Sequence, residues 1–126
     1  LLKKGDKQVL ALFGYENSEK LHIQAFQCAA ESLQIGEAIH FSFRLQADTK
    51  TKLRIDYAID YVKARGNRTR KVFKLSDTSI KKDETKNYSR THSFQDLVTR
   101  THYPGLHQLT LIVNGEEKLS IEFDII

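Results

Sequence analysis

Six cations and no carboxylate lie between residues 63 and 74 of the sequence: Lys63, Arg65, Arg68, Arg70, Lys71 and Lys74. Lysine and arginine side chains at this density bind phosphates, with an affinity that depends on salt and little on base sequence. The net charge is +4, and without these six the other 14 basic and 16 acidic residues sum to −2. The positive charge is therefore local. Two interpretations stay open at this point: an anion-binding site, or a solvated turn without a partner.

Two further basic residues, Arg100 and His102, are weaker candidates for the same phosphate-binding surface. His107 follows a Pro-Gly turn at the start of a predicted strand, where sandwich domains often place a corner tyrosine. We interpret it as a structural hydrogen-bonding residue. Four aromatic residues flank the cations with a spacing of two, which favours core positions over a platform for stacked bases. They are Tyr57, Tyr61, Phe73 and Tyr88.

Patterns for catalysis and for metal binding are missing. The five histidines show no HExxH or similar spacing. His22 and His40 lie on the outward faces of two strands that are candidates for pairing, but a two-histidine contact lacks the further ligands of a metal site. The carboxylates of Asp56 and Asp60 share one strand face and are interpreted as ion-pair partners of nearby cations. No GxSxG motif or Gly-rich loop is present, and the single cysteine, Cys28, has no local partner. We expect no catalytic residue, no metal and no cofactor.

The strand that leads into the cations is read from a strict alternation. Five apolar residues from Leu53 to Tyr61 alternate with Arg54, Asp56, Ala58 and Asp60, which predicts one buried face. If Phe73 opposes Tyr61, the turn is an odd loop such as Gly66-Asn67-Arg68. A two-residue Gly-Asn turn would instead oppose Tyr61 and Val72. We prefer the odd loop, and either turn leaves an arginine-rich tip exposed.

Similar alternations predict seven strands in all, joined by polar turns. The other strands cover residues 21–25, 39–45, 73–75, 86–94, 107–113 and 119–125, with 86–94 near a sheet edge and residues 76–84 in a polar loop. The alternating apolar positions of these strands, Ala25 and Leu119 among them, are expected to face the core. Asn114-Gly115 predicts a tight hairpin. The pattern indicates an all-β fold: an immunoglobulin-like antiparallel β-sandwich of about seven strands, lacking the usual disulfide and tryptophan.

Residues 1–20 differ from this pattern. Asp6 is expected to cap a short helix, Lys7–Phe13, that ends at Gly14. Residues 1–20 are thus predicted to be a connector and the tail of a preceding helical domain, or else a plug at one end of the sandwich, and residues 21–126 the sandwich domain. The chain contains no methionine, so we expect a fragment of a longer protein. No apolar run is long enough to span a membrane. The absence of disulfides fits a reducing cytoplasm.

Two stretches carry a family resemblance: LRIDYAIDYVKARGNRTRKVFKLS and TRTHYPGLHQLTLIVNGEEKLSIEFDI. Together they resemble the C-terminal immunoglobulin-like domain of bacterial DNA alkylation repair proteins. In that family the domain follows a HEAT-like helical repeat domain, whose end the stretch KKGDKQVLALFGY resembles. The resemblance implies a parent protein that is a DNA N-glycosylase for alkylated bases, with its catalytic surface on the helical repeats. This chain is then expected to be inactive alone and to help hold the DNA backbone.

The sequence therefore predicts a non-catalytic domain that contacts DNA phosphates through Lys63, Arg65, Arg68, Arg70 and Lys71, with Arg100 and His102 as weaker candidates. Its expected partners are DNA and the preceding helical repeat domain, and not a membrane. The alternative is an interdomain or protein–protein docking module whose basic hairpin meets an acidic surface.

Overall fold

The computed structural model describes residue 10 and residues 12–29, 32–96 and 101–126. Within these ranges eight strands follow a short 3-10 turn at Ser18–Lys20. The strands are β1 (Leu21–Cys28), β2 (Ser32–Leu33), β3 (Ala38–Ala47), β4 (Thr51–Val62), β5 (Arg68–Ile80), β6 (Thr85–Ser93), β7 (Gly105–Val113) and β8 (Glu116–Ile125). No helix in the described ranges has the length and apolar character needed to cross a membrane.

The strands form two facing sheets, as the alternation predicted. One sheet has the order β1-β3-β6 and the other the order β2-β8-β7-β4-β5. Strand β6 is an edge strand, in agreement with its polar sequence. All pairs are antiparallel except β2 with β8, which is parallel. The sequence did not predict β2, because a two-residue strand is too short to show an alternation.

The core lies between the sheets and is built from the inward residues of the central strands. Ile39, Phe41, Phe43 and Leu45 of β3 are all buried, as are Leu109, Leu111 and Val113 of β7. Each side chain of this size contributes about 1.5–3 kcal/mol when it is removed from water. These alternating positions agree with the sequence prediction.

Strand β4 is covered on both faces, although its alternation predicted one solvent face. Arg54, Asp56 and Ala58 on the outward face are 8%, 0% and 0% exposed. The Arg54 Nε atom lies 3.2 Å from Asp56 Oδ2, so the two charges compensate each other. The strand lies between β7 and β5, and the segment before β1 is hydrogen bonded to its start, through the Glu16 amide and the Thr51 hydroxyl (2.8 Å).

Three local predictions are wrong. Ala25 was placed on the inner face of β1, but it is exposed at a bulge with φ 53°, and Phe26 and Cys28 pack inward after it. Residues 76–80, expected in a loop, extend β5, because the long neighbour β4 offers pairing as far as Thr51 opposite Ile80. Leu119, expected to be buried, is 38% exposed near a register shift in β8.

In the hairpin of β4 and β5, Tyr61 and Phe73 lie on the same face of the sheet, as predicted, but the register of the two strands differs from the prediction. Tyr57 opposes Phe73, and Tyr61 opposes Thr69, so the predicted pairing of Tyr61 with Phe73 is wrong. The loop consists of residues 63–67, an odd number as expected, with Gly66 at φ 85°. Strand β5 begins at Arg68, earlier than predicted. Its first residues are polar and show no apolar alternation, but their backbone still pairs with β4.

The predicted helix Lys7–Phe13 lies largely outside the described residues. From Leu10 onward, where it is described, the connector is held against the five-stranded sheet. Tyr15 donates a hydrogen bond to Asp77 at 2.7 Å, and the Asn114 side chain donates to the Glu16 carbonyl at 2.9 Å. Leu10 is fully buried, whereas Leu12 is 82% exposed.

Candidate nucleic-acid interface

His107 holds the end of β4 where the hairpin leaves the sandwich. Its Nδ1–H donates to the Gly105 carbonyl (3.0 Å), and its Nε2 accepts from the Val62 amide (3.4 Å). The side chain is fully buried, and this burial lowers its pKa, so the ring is neutral at physiological pH. The structural role predicted for His107 is confirmed.

Gly105 allows the loop before β7 to approach the same point closely. Its φ is 138°, and a Cβ atom added there would lie 3.0 Å from Val62 Cγ2. Only glycine meets both conditions without strain. The segment from Thr101 to Pro104 is therefore fixed beside the base of the hairpin.

The aromatic residues that flank the cations pack in the core or against it, as predicted: Tyr57 and Tyr61 are buried, and Phe73 and Tyr88 are partly buried. The hydroxyls of Tyr57 and Tyr61 lie 3.0 and 2.7 Å from the two ring nitrogens of His92. Phe73 stacks on Tyr57 with ring centroids 5.2 Å apart. Tyr88 packs against Phe43 at 5.4 Å. None of these four rings forms an open platform for bases.

The cations of the hairpin are divided between its two faces. Arg70 lies on the outer face of the sheet, opposite Asp60. Its Nε atom is 3.1 Å from an Asp60 oxygen and its Nη1 atom is 2.9 Å from Glu117. Hydrogen bonding to Asp60 raises the pKa of Arg70 above its ordinary value. This guanidinium is held by the domain's own carboxylates.

Two other cations also have acidic neighbours, at longer distances. Arg68 Nη1 lies 3.8 Å from Glu122, and Lys74 Nζ lies 3.7 Å from Asp77. Exposed ion pairs of this kind contribute about 0–1 kcal/mol, so both side chains can exchange partners.

Lys63, Arg65 and Lys71 form no ion pair within the described ranges. Arg65 lies at the exposed tip of the loop. Lys71 opposes Ile59 and so points to the other side of the sheet from Arg70. Five cations from Lys63 to Lys71 face three carboxylate partners in the contacts above, which leaves +2 at the hairpin.

A groove of about 550 Å³ lies beside the hairpin and is lined by residues from both of its faces. Its lining includes Lys63, Thr69, Arg70, Lys71, Thr101 and Tyr103. The groove thus lies between the basic hairpin and the loop that Gly105 fixes. Tyr103 is half-buried, and no sequence pattern indicated it as a functional residue. Its position could not be found from alternation, because it lies in a connection between strands.

Of the two weaker candidates for phosphate binding, His102 and Arg100, only His102 lies within the described residues. His102 is 5% exposed and stacks on Tyr61 with ring centroids 5.7 Å apart. Its amide donates to Asp96 Oδ1 (2.8 Å), so the residue anchors the loop and does not present its ring to solvent. Arg100 lies outside the described residues.

The paired histidines considered for a metal contact are apart. His22 binds Asp48 at 2.8 Å, whereas His40 contacts Thr91 at 2.6 Å. In the register of β1 and β3, His22 opposes Gln46, far along the strand from His40. The described part of the chain contains no cluster of three or more metal-ligating side chains.

Comparison with known protein families identifies the family to which this β-sandwich belongs. Residues 22–126 match the family described as "Uncharacterised protein YhaZ, C-terminal Ig-like domain". The chain belongs to this family. The immunoglobulin-like sandwich predicted from the sequence is thereby confirmed, as is the resemblance to such a C-terminal domain.

A curated relative, the protein YhaZ of Bacillus subtilis (strain 168), is 54% identical over 125 residues. The match covers 99% of this chain and 35% of the relative, so the chain spans about a third of that protein's length.

Among solved structures, the alkylpurine DNA glycosylase AlkC of Pseudomonas fluorescens, bound to DNA containing an abasic site analog, is similar over 98% of this chain and 34% of its own. The identity is 36% and the TM-score 0.83. A β-glucosidase mutant (D270A) from Listeria innocua matches 84% of the chain and 16% of its own at 16% identity, with a TM-score of 0.63, which indicates the fold alone.

Proposed function

We propose that this chain is an accessory, non-catalytic domain of a DNA alkylation repair protein and that its basic hairpin binds DNA phosphates. The observation that carries the proposal is the set of three cations without carboxylate partners in the described structure, Lys63, Arg65 and Lys71. Two of them, Lys63 and Lys71, line an open groove. The similarity to AlkC, a glycosylase whose structure contains DNA, supports it.

The roles of the cations differ in this proposal. Lys63, Arg65 and Lys71 contact phosphates directly, because they do not have to leave another partner. Arg70, held by Asp60 and Glu117, mainly braces the two strands and adds to the local potential. Arg68 and Arg100 remain proposed contacts, whereas the buried ring of His102 supports the loop.

The chemistry of base removal belongs, in this proposal, to another part of the full-length protein. The described residues contain no metal-ligand cluster, and the rings of His92 and His107 are hydrogen bonded within the domain. The parent is proposed to be a DNA N-glycosylase in which a preceding helical repeat domain acts on the alkylated base. This domain then raises the affinity for the DNA backbone.

The test is the salt dependence of binding to a short duplex. Each phosphate contact contributes about 0.9 to the slope of log K against log salt. We expect a variant with Lys63, Arg65 and Lys71 changed to glutamine to bind more weakly to all sequences, with a slope smaller by about 2–3.

A matched control variant replaces Lys50, Lys81 and Lys82 with glutamine. These lysines are exposed, and they lie at the opposite end of the β4–β5 pair, where Thr51 opposes Ile80. The control removes the same charge and should keep the slope. Equal losses in both variants would mean that only net charge matters, and the hairpin would not be the site.

A docking function is the second candidate, favoured by the exposed apolar residues of the connector. Leu12 is 82% and Phe13 55% exposed, next to the fully buried Leu10. In this case the chain binds the N-terminal part of its own protein and ignores DNA. Binding of the chain to that separately produced part, with Leu12 and Phe13 changed to serine as the test variant, distinguishes the two.

A further inference from the structure

Tyr103 differs from the other tyrosines in what it contacts. Tyr57 and Tyr61 bind His92, Tyr88 packs on Phe43, and Tyr15 donates to Asp77. Tyr103 makes no hydrogen bond and no ring–ring contact with the described residues. Its side chain is half-exposed and lines the groove beside the basic hairpin, where the other lining tyrosine, Tyr61, is 4% exposed.

The position of Tyr103 is held by its neighbours in the loop. The preceding residue, His102, is buried against Tyr61, and its amide is bound by Asp96. Gly105 follows after one proline and lies against Val62. A tyrosine fixed on both sides loses little conformational entropy when a ligand packs on it.

The cations across the groove supply the second part of a binding site. Lys63 and Lys71 line the same groove, and neither has a carboxylate partner in the described part of the structure. An aromatic side chain combined with cations that follow the backbone is the arrangement that binds single-stranded nucleic acid. The volume of about 550 Å³ lies within the ~300–1,000 Å³ range of sites for small ligands.

A base within an intact duplex cannot use such a site, because both of its faces are covered by its neighbours in the stack. We propose that the groove binds a nucleotide that has left the base stack, with its phosphate between Lys63 and Lys71 and its base against the ring of Tyr103. This inference rests on the proposed function and adds a preference for unpaired over paired DNA at the same site.

The experiment compares a labelled dT12 oligonucleotide with a duplex of equal length. We expect Tyr103→Ala to weaken dT12 binding by about 5- to 150-fold, the range for the loss of one stacked base, and to leave duplex binding within about twofold. Tyr103→Phe keeps the ring and should bind both as the wild type does. Thermal unfolding of each variant checks the fold.

A second measurement does not depend on the alanine variant. The chain contains no tryptophan, so tyrosine emission can be followed directly. Stacking of a base on Tyr103 should quench part of this emission when dT12 binds. Tyr103→Phe should lose that quenching while it keeps the affinity.

The other outcomes separate the two proposals. Equal losses on dT12 and on duplex in Tyr103→Phe would show that the hydroxyl binds a phosphate, and stacking would be refuted. No effect of Tyr103→Ala, together with weaker binding when Lys63, Arg65 and Lys71 are changed, would leave the phosphate site and refute the inference. No binding of the wild type to either DNA would overturn both.

Discussion

Replacing Asn114 with aspartate tests how the connector and the sheet are held together. Asn114 is 4% exposed and occupies the turn between β7 and β8 with φ 47°. Its Oδ1 accepts from the Arg54 amide at 2.8 Å. Its Nδ2 donates to the carbonyls of Glu16 at 2.9 Å and of Lys52 at 3.2 Å. One side chain thus joins the turn between β7 and β8, the start of β4 and the connector before β1.

The expected loss in the free energy of unfolding follows from these contacts. Asn114→Asp keeps the left-handed backbone, which both residues tolerate, but it replaces a two-hydrogen donor with a carboxylate oxygen that faces two carbonyls. Two lost hydrogen bonds cost about 0.5–1.5 kcal/mol each, and the new carboxylate oxygen, buried without a donor, adds about 1–3 kcal/mol. We expect the free energy of unfolding to fall by about 3–5 kcal/mol, a large part of the ~5–15 kcal/mol of a typical domain.

The assay is urea unfolding followed by circular dichroism at about pH 7 and about pH 4.5, with Asn114→Gly as the control. The glycine variant keeps the backbone and removes all three side-chain bonds without adding charge. Repulsion raises the pKa of the new carboxyl, so the folded variant binds its proton more tightly than the unfolded chain does. The loss in the aspartate variant should therefore shrink at the lower pH, compared with glycine.

Either of two results would refute this account of Asn114. One is an aspartate variant that is as stable as the wild type at about pH 7, which would mean that the carbonyls do not depend on the amide. The other is an aspartate and a glycine variant whose losses change in parallel with pH, which would exclude the repulsion.

Three further predictions concern the hairpin and its base. Asp60→Asn combined with Glu117→Gln releases Arg70, which should strengthen duplex binding several-fold and steepen its salt dependence by about 1, as measured by titration at several salt concentrations. Burial lowers the pKa of His107, so the unfolded chain binds its proton more tightly. The free energy of unfolding should then decrease as the pH falls below about 6.5, and His107→Gln should flatten this dependence in urea titrations. Gly105→Ala should lower the free energy of unfolding by more than about 1 kcal/mol in the same assay, because φ is 138° and the added Cβ would lie 3.0 Å from a methyl carbon of β4.

Each of these predictions has a contrary outcome. Unchanged DNA binding after release of Arg70 would place that side chain outside the interface. A pH dependence that survives in His107→Gln would belong to another group. An alanine tolerated at Gly105 without loss would mean that the loop can move away from β4.

Much of the fold could be predicted from the sequence, because the two-residue period of a strand with one core face is a local property. The alternations in β3 and β7 identified their buried residues, and the alternation in β4 identified its core face but not the burial of its other face. Asn114-Gly115 identified its hairpin, where φ is 47° and 82° at the two residues. The prediction that Tyr61 and Phe73 share a face correctly indicated a loop with an odd number of residues. The structural role of His107 also followed from its place after a turn.

The prediction failed where a strand lacks that local signal. Strand β5 is polar at both ends because it is an edge strand, and it forms by pairing with β4. Strand β2 pairs with β8, a partner distant in sequence, over two residues. At Ala25, a bulge reverses which side chains face the core.

The sequence by itself determined that cations are concentrated near one turn, and the alternation before that turn determined that a sandwich carries them. Only the tertiary structure decided which of them are available. Arg70 is held by Glu117, 47 residues away in the chain, whereas Lys71, its neighbour, points to the other side of the sheet. Ion pairing and the position of Tyr103 depend on which strands and loops become neighbours, and chain folding sets that over distances that no local pattern encodes.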